Sequence, residues 1–196
     1  MVTNRRPTAP PRAIGLHQAF GTMKILLGFG LGVLAVAALV FGYFLTGMAP
    51  VAAGAAPMPF ERYLAGKALH VAIARGAPRD VPIQPTEDSL RAGADTYRQE
   101  CAVCHGLPGQ PKSNIAAGEF PAPPQLWQGK GVTDDPPGET FWKVQNGIRL
   151  TGMPGFGKTL STTQMWQVSL LLANGNNLPD TVKALLSRPY SIDGPK

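Results

Sequence analysis

Cysteine is scarce in this sequence, and its placement excludes several kinds of site. The 196 residues include two cysteines, Cys101 and Cys104, and three histidines, of which only His105 lies beside them. A structural zinc site uses about four such ligands at paired spacings, and the sequence has no second pair. A thioredoxin-like redox pair needs a strand–helix–strand setting, whereas the flanking residues show helix signals and no alternation of valine and isoleucine. A plain disulfide between the two cysteines remains an alternative.

Charged residues are also few, and most of the surplus of positive charge lies at the N-terminus. The chain has 18 Lys and Arg against 12 Asp and Glu. Four of the basic residues precede residue 50, so the rest of the chain carries 14 basic and 12 acidic residues, a net charge of only +2. There is no basic helix and no basic–aromatic repeat, and we therefore predict no nucleic-acid partner.

Charge is entirely missing from residues 25–45, which read ILLGFGLGVLAVAALVFGYFL. A helix of about 20 apolar residues crosses the hydrocarbon core of a bilayer. Because the basic residues precede this stretch and none follows it closely, the positive-inside rule places the N-terminus in the cytoplasm. We predict a basic cytoplasmic segment at 1–24 and a single transmembrane anchor at 25–46. The bulk of the protein then lies on the periplasmic side of a bacterial inner membrane.

A cleavable signal peptide is the alternative to a retained anchor, because Ala53, Gly54 and Ala55 resemble a cleavage site. The apolar core of a signal peptide has roughly 7–15 residues, which is shorter than the charge-free stretch here. Both alternatives place the following domain on the same side of the membrane. Within the stretch, Gly28 and Gly32 are four residues apart, a spacing that favours close approach of another membrane helix.

A linker rich in small residues and proline follows at 47–85, and a short helix is predicted within it. Apolar residues recur at helical spacing over 60–75. This helix either lies along the membrane surface or packs on the folded domain. It contains His70, which we interpret as a structural residue because no other ligand-type side chain accompanies it.

The sequence Cys101-Ala102-Val103-Cys104-His105 is the attachment signature of c-type haem. Two sulfurs at this spacing add to the two vinyl groups of one haem and form two thioether bonds. The adjacent imidazole then takes one axial position on the iron. The motif therefore predicts one covalently attached haem c.

The residues around the motif predict helices. Thr86 is a candidate N-cap for a helix that carries Gly93 and Tyr97 on one face and leads into the motif. A glycine inside a helix usually marks a close crossing with another helix. We predict that Trp166 and Leu170 of a later helix form the ridge that packs against Gly93 and Tyr97.

Two further helices are predicted from their terminal residues. Ser161 and Gln164 form a capping box at the start of the later helix. A middle helix is predicted to start at Asp135, with Pro136 at its first position, and to stop at Asn146.

Residues 86–175 resemble a class I c-type cytochrome. The resemblance rests on a Gly-x-x-x-aromatic helix leading into CxxCH, a loop, a middle helix, a Met-Pro loop and a C-terminal helix. It implies an all-α fold: a small helical domain around one covalently bound haem, here preceded by one N-terminal transmembrane helix. Residues 176–196 are left as a C-terminal tail. Such C-terminal helices often carry a tyrosine, whereas leucines follow Trp166 in this chain, a difference that concerns packing alone.

Met153 is the best candidate for the second axial ligand of the iron. It lies in the sequence TGMPGF, between two predicted helices, where a class I cytochrome carries its distal ligand. Met165 falls inside the capped helix and is assigned to the core. The resemblance also implies that a proline carbonyl accepts a hydrogen bond from His105. The candidates are Pro111, Pro121, Pro123 and Pro124.

These features predict an electron carrier and no enzyme, because no catalytic constellation accompanies the haem. Ligation by His105 and Met153 closes the iron to substrates and favours one-electron transfer. The expected partners are redox proteins that donate and accept electrons, with a membrane complex among them, and the membrane lipid. A fixed haem c subunit of a larger respiratory or dehydrogenase complex is the alternative. A haem sensor or peroxidase would instead need an open or weakly held sixth position.

Overall fold

The computed structural model of the chain describes residues 16–128 and 134–190, with side chains from residue 21 onward. Within these ranges every regular element is a helix, and no strand occurs. The predicted all-α fold is thereby confirmed. The chain divides into two compact units, one ending at Pro50 and the other beginning at Val51.

The first unit contains one long helix, α1 (Leu16–Leu45). Its segment Gly21–Leu45 has 25 residues, and the most apolar 18 of them have a mean hydropathy of 2.5 and are not buried. At about 1.5 Å per residue the segment is roughly 37 Å long, which exceeds the roughly 30 Å of a bilayer core. Length and composition are therefore those of a membrane-spanning helix, as the predicted anchor at 25–46 requires.

The second unit begins with α2 (Glu61–Gly76), at the place of the helix predicted for 60–75. Ile73 is buried, and Gly76 lies against the ring of Trp142. One face of α2 therefore packs on the folded domain, which is one of the two positions that the sequence left open.

The remaining helices form the shell of the domain. Thr86 caps the helix before the motif by accepting a hydrogen bond from Ser89 N, and the capping box of Ser161 and Gln164 is present. Both predicted helix starts are thus found. The helices are α3 (Glu87–Glu100), α4 (Ala102–His105), α5 (Asn114–Gly118), α6 (Pro137–Asn146), α7 (Thr162–Ala173) and α8 (Asp180–Leu186).

Helices α3 and α7 cross at Gly93, but not through the predicted ridge. A Cβ at Gly93 would overlap Gln167 O and lie 3.2 Å from the Cβ of Leu171. The closeness of the two backbones is what requires glycine. The prediction of a Trp166 ridge was wrong, because that side chain turns to the other flank of α7 and stacks on Phe141 at 4.3 Å.

The middle helix begins one residue later than predicted. Pro136 occupies the N-cap and Pro137 the first helical position of α6. Proline suits the first helical position because the missing N–H would have no partner there, and two prolines in succession make the start ambiguous by one residue. The helix ends at Asn146, as predicted.

The packed core continues past residue 175, where the predicted cytochrome domain ends. Val182 and Leu186 of α8 are 0% and 1% exposed and belong to the same apolar cluster as the helices before them. Arg98 of α3 donates hydrogen bonds to the carbonyls of Leu185, Arg188 and Pro189. Residues 176–190 are therefore part of the domain and not a free tail.

Candidate functional site

The two cysteines and the histidine lie where α3 turns into the single turn of α4. Cys101 ends α3, and its N–H donates to Tyr97 O at 2.9 Å. Its own carbonyl accepts from the N–H groups of Cys104, at 3.2 Å, and His105, at 2.9 Å. These hydrogen bonds fix the backbone of the turn that carries the two cysteines and the histidine. The two cysteines are free thiols in this structure, and the alternative of a disulfide between them is not realised.

The ring of His105 is oriented by a proline carbonyl. Its Nδ1 lies 2.9 Å from Pro124 O. A carbonyl oxygen only accepts, so Nδ1 carries the proton, and Nε2 is left with its lone pair free for a metal. Among the four candidate prolines the structure selects Pro124.

Glu119, a residue that no local sequence pattern indicates, contacts the second cysteine. The thiol of Cys104 donates to Glu119 Oε1 at 3.1 Å. Burial, followed by this hydrogen bond and the charge of Glu119, raises the pKa of Cys104 to about 11. Burial, followed by the charge of Glu100, raises the pKa of Cys101 to about 12. Both sulfurs are therefore thiols at neutral pH and not the activated thiolates of a redox or protease site.

Further hydrogen bonds fix the backbone of the motif. The side-chain amide of Gln125 donates to Cys104 O at 3.1 Å. The hydroxyl of Tyr97 donates to Gly106 O at 2.7 Å, and Gly106 has a φ of 74°, which favours glycine. Ser113 donates to Val103 O. The role of Gln125 has no local sequence signal, because it depends on how the proline-rich loop folds back over α4.

Met153 is presented by a loop that folds back on the end of α6. Its N–H donates to Thr151 Oγ1 at 3.1 Å, and its carbonyl accepts from Ile148 N at 3.2 Å. Phe156 N then donates to Val144 O at 2.8 Å and closes the loop. A Cβ at Gly147 would stand 2.8 Å from Met153 O, so the tight return also needs glycine. The side chain of Met153 is half-buried.

A cavity of about 700 Å³ brings the predicted site residues together. Cys101, Cys104, His105 and Met153 all line it. Its size lies within the range of roughly 300–1,000 Å³ typical of cofactor pockets. Met153 follows His105 by 48 residues in the sequence, and the fold brings it to the same cavity as the haem-attachment motif.

The lining fits a haem. Most of it is apolar, with Val144, Phe156 and Leu172 among the contributors. A polar stretch is also present: Thr140 lines the cavity, and its buried Oγ1 has no hydrogen-bond partner among the described residues. Nearby, Lys143 is paired with Asp135 at 2.7 Å. An apolar chamber with one polar region suits a macrocycle that carries propionates.

Four other residues that are aromatic or could bind iron do not line the cavity. Neither Trp127 nor Trp142 lines the cavity; Trp127 packs edge-on against Tyr97, with ring centroids 5.5 Å apart. Met165 is 2% exposed in the apolar core, as the sequence indicated. His70 is exposed on α2 and does not line the cavity.

Comparisons with known proteins match the part of the chain that carries this site. Residues 88–170 match the model of the family described as cytochrome c oxidase, cbb3-type, subunit III. The search of curated proteins returned no match.

Three chains of solved structures match. One belongs to the Kuenenia stuttgartiensis reducing HAO-like protein complex Kustc0457/Kustc0458, at 29% identity and a TM-score of 0.41. The match covers 47% of each chain, so the present protein spans about half the length of that neighbour. Taken with the attachment motif and its cavity, the family match over 88–170 identifies this part of the protein as a c-type cytochrome domain, which implies covalently bound haem c.

Proposed function

We propose that the protein is a membrane-anchored cytochrome c with one haem, which transfers electrons on the outer side of the cytoplasmic membrane. Cys101 and Cys104 form the thioether bonds, and His105 and Met153 are the axial ligands of the iron. The domain is an electron carrier and has no catalytic residues of its own.

The observation that carries this proposal is the meeting of a free imidazole nitrogen and a thioether in one apolar cavity. The bond from His105 Nδ1 to Pro124 O leaves Nε2 as the metal-binding nitrogen. Met153 lines the same cavity on a loop held by its own backbone hydrogen bonds. Haem bound there supplies a one-electron couple, and a soft sulfur ligand raises its potential.

The surrounding residues limit structural rearrangement when the iron gains or loses an electron. The carbonyl of Pro124 holds the imidazole in one orientation, so the ring has no freedom to turn during electron transfer. As the second axial ligand, the half-buried Met153 would occupy the sixth site and exclude small molecules from the iron. The apolar lining limits rearrangement of water when the charge of the iron changes.

The helix α1 and the charge distribution support the proposed location. Gly21–Leu45 is long and apolar enough to cross a bilayer. Basic residues precede the span, with Arg5, Arg6 and Arg12 upstream, which favours a cytoplasmic N-terminus. The cytochrome domain then faces the periplasm, and retention of α1 makes the protein a single-pass membrane protein.

The proposal is tested by the absorption spectrum of the purified full-length holoprotein and of two methionine variants. Met153→Ala should abolish the Met-sulfur-to-iron band, give a high-spin iron that binds CO rapidly, and lower the reduction potential. The matched control is Met165→Leu, a substitution in the core that should leave the band in place. An unchanged band in Met153→Ala would overturn the ligand assignment, and rapid CO binding by the unaltered protein would favour a sensor or peroxidase.

A fixed subunit of a larger redox complex is the second candidate. The matching family is named after a subunit of an oxidase. In α1, a Cβ at Gly28 or Gly32 would meet nothing within 4 Å, so both positions are open to a close helix neighbour. Extraction in mild detergent distinguishes the candidates. A mobile carrier is extracted without other proteins, whereas a subunit copurifies with partners in fixed stoichiometry. Gly28→Leu/Gly32→Leu should weaken the association of a subunit with its partners.

A further inference from the structure

Helix α2 has two apolar faces, and the domain covers only one of them. On the inner face Ile73 is 3% exposed. A Cβ at Gly76 would stand 2.5 Å from Nε1 of Trp142 in α6, and Leu69 lines the cavity. The inner face therefore fixes α2 to the cytochrome domain, and a movement of α2 would move the wall of the haem site.

The outer face of α2 consists of Phe60, Tyr63, Leu64 and Val71. Leu64 and Val71 are seven residues apart, two helical turns on one side, and are 63% and 49% exposed. Phe60 at the N-cap is 76% exposed, and Tyr63 is 62% exposed. A helix that is apolar on both sides is normally covered on both.

The net positive charge of α2 favours binding of a negatively charged surface. Between residues 61 and 76 there are three basic residues and one acidic residue, Glu61. Lys67 and Arg75 are three or four residues from Leu64 or Val71 and share their side of the helix. The guanidinium of Arg62 instead lies over the ring of Phe120, 5.6 Å from its centre, and faces the domain. Glu61 is engaged at the start of the helix, where it accepts a hydrogen bond from Met58 N. After residue 50 the chain has 14 basic and 12 acidic residues, so outside α2 the count is 11 of each. The whole positive surplus of the chain after residue 50 therefore lies on α2.

The chain also keeps α2 close to a bilayer. Helix α1 ends at Leu45 and α2 begins at Glu61. The 15 residues between them reach at most about 54 Å when fully extended. A tether of this kind raises the effective concentration of the membrane surface around the outer face of α2, so weak contacts suffice. Lys67, whose Nζ lies 6.0 Å from the centre of the Tyr63 ring, has the long stem of a residue that extends towards headgroups.

We propose that the outer face of α2 binds the surface of the bilayer that α1 spans, through insertion of its apolar residues and attraction of its basic residues to anionic phospholipid. This contact gives the cytochrome domain a fixed orientation on the membrane. Because α2 also forms part of the cavity wall, the orientation of the haem is fixed with it. The proposal rests on retention of α1 as an anchor and is independent of the axial ligands.

The experiment uses the full-length holoprotein in lipid nanodiscs, with hydroxyl-radical footprinting and hydrogen exchange read by mass spectrometry. One disc contains phosphatidylcholine with about a third phosphatidylglycerol, and the other contains phosphatidylcholine alone. We expect Tyr63 and Leu64 to be modified several-fold more slowly in the anionic disc than in the neutral one. Leu64→Asp/Val71→Asp should remove this protection, whereas Ile115→Asp, at an exposed position of α5, should not.

Each other outcome contradicts the proposal in a defined way. Equal modification in both discs at the exposed rate would show that lipid does not cover this face. Protection that is absent from pure lipid and present only in native membranes would assign the face to a protein partner. A purified chain shortened by cleavage after α1 would remove the tether. In all of these cases the haem spectrum of the variants stays the same, so failure here is separable from failure of the axial assignment.

Discussion

At the scale of single residues, glycine carries the tightest constraints of the domain. Gly93 and Gly66 are both inside helices, and the sequence alone gives them the same meaning. The structure separates them: a Cβ at Gly93 would overlap the backbone of α7, whereas one at Gly66 would meet nothing within 4 Å. The difference arises from a contact about 74 residues away along the chain, which no local pattern contains.

Gly93→Ala should therefore destabilise the holoprotein by about 1–3 kcal/mol, because α7 must move to accommodate the methyl group. The same substitution at Gly66 should stabilise it by roughly 0.5–1 kcal/mol, since alanine favours a helix interior where space exists. Thermal and denaturant unfolding of both variants in detergent provide the measurement. Two changes of the same sign would show that helix propensity and not the crossing decides the effect.

Glu119 places a carboxylate beside the attached cysteine. Its Oε1 lies 3.1 Å from Cys104 Sγ, so once the thioether forms, the charge stays at the edge of the haem. Negative charge stabilises the oxidised iron, which carries one more positive charge. Glu119→Gln should raise the reduction potential by tens of millivolts, measured by redox titration. The control is Glu87→Gln at the far end of α3, about 20 Å from Cys101 along the helix; an equal shift in both would argue for a general effect of net charge.

At the scale of elements, the features that could be predicted were local ones. The caps at Thr86 and Ser161 depend on residues within three positions of each other, and both are present. The face that each helix packs against its neighbours depends on distant partners. The prediction that Trp166 packs against Gly93 and Tyr97 was wrong for this reason. The position of Met153 between two helices could be read from order along the chain, whereas the contact of Glu119 with Cys104 could not, because a loop of irregular backbone makes it.

Helix α8 was the element most misjudged, and its attachment to α3 is testable. The guanidinium of Arg98 donates to three carbonyls at the end of α8, with distances of 2.8 to 3.1 Å. Arg98→Ala should release residues 180–190, seen as faster hydrogen exchange there with little change in α6. Arg98→Lys should fail to restore protection, because one ammonium cannot reproduce the planar fork of an arginine. Unchanged exchange in Arg98→Ala would show that the buried side chains of Val182 and Leu186 and the other hydrogen bonds of this segment hold it without Arg98.

At the scale of the whole molecule, the haem replaces part of the apolar core. A domain of about one hundred residues buries little surface, and here the centre is a cavity of about 700 Å³. Two thioether bonds and two axial bonds would tie the motif and the Met153 loop to one rigid group. The folded state therefore depends on the cofactor far more than on any single helix contact.

We predict that the haem-free chain does not fold stably. Cys101→Ala/Cys104→Ala, which removes both attachment points, should lose cooperative thermal unfolding and the dispersion of side-chain signals from the domain. Val103→Ala, in the same turn, should retain haem and a cooperative transition. A double variant that unfolds at the temperature of the unaltered holoprotein would contradict the prediction.

The ionisation of Cys101 and Cys104 depends on whether the haem-free chain is folded, so it also tests this prediction. In the folded arrangement burial raises the pKa of Cys104 to about 11 and that of Cys101 to about 12. In an unfolded chain both thiols ionise near pH 8.5 (about the free value). Because folding raises these pKa values, thiolate formation favours the unfolded chain. Below about pH 8.5 both thiols are protonated in the folded and the unfolded chain, and they do not change the free energy of unfolding. As the pH rises from there towards about 12, that free energy falls and the folded fraction decreases. Alkylation of the haem-free, full-length chain should show a midpoint near 8.5, and a stabilising osmolyte should move that midpoint upward. A midpoint near 11 without osmolyte would mean that the helical shell closes without its haem.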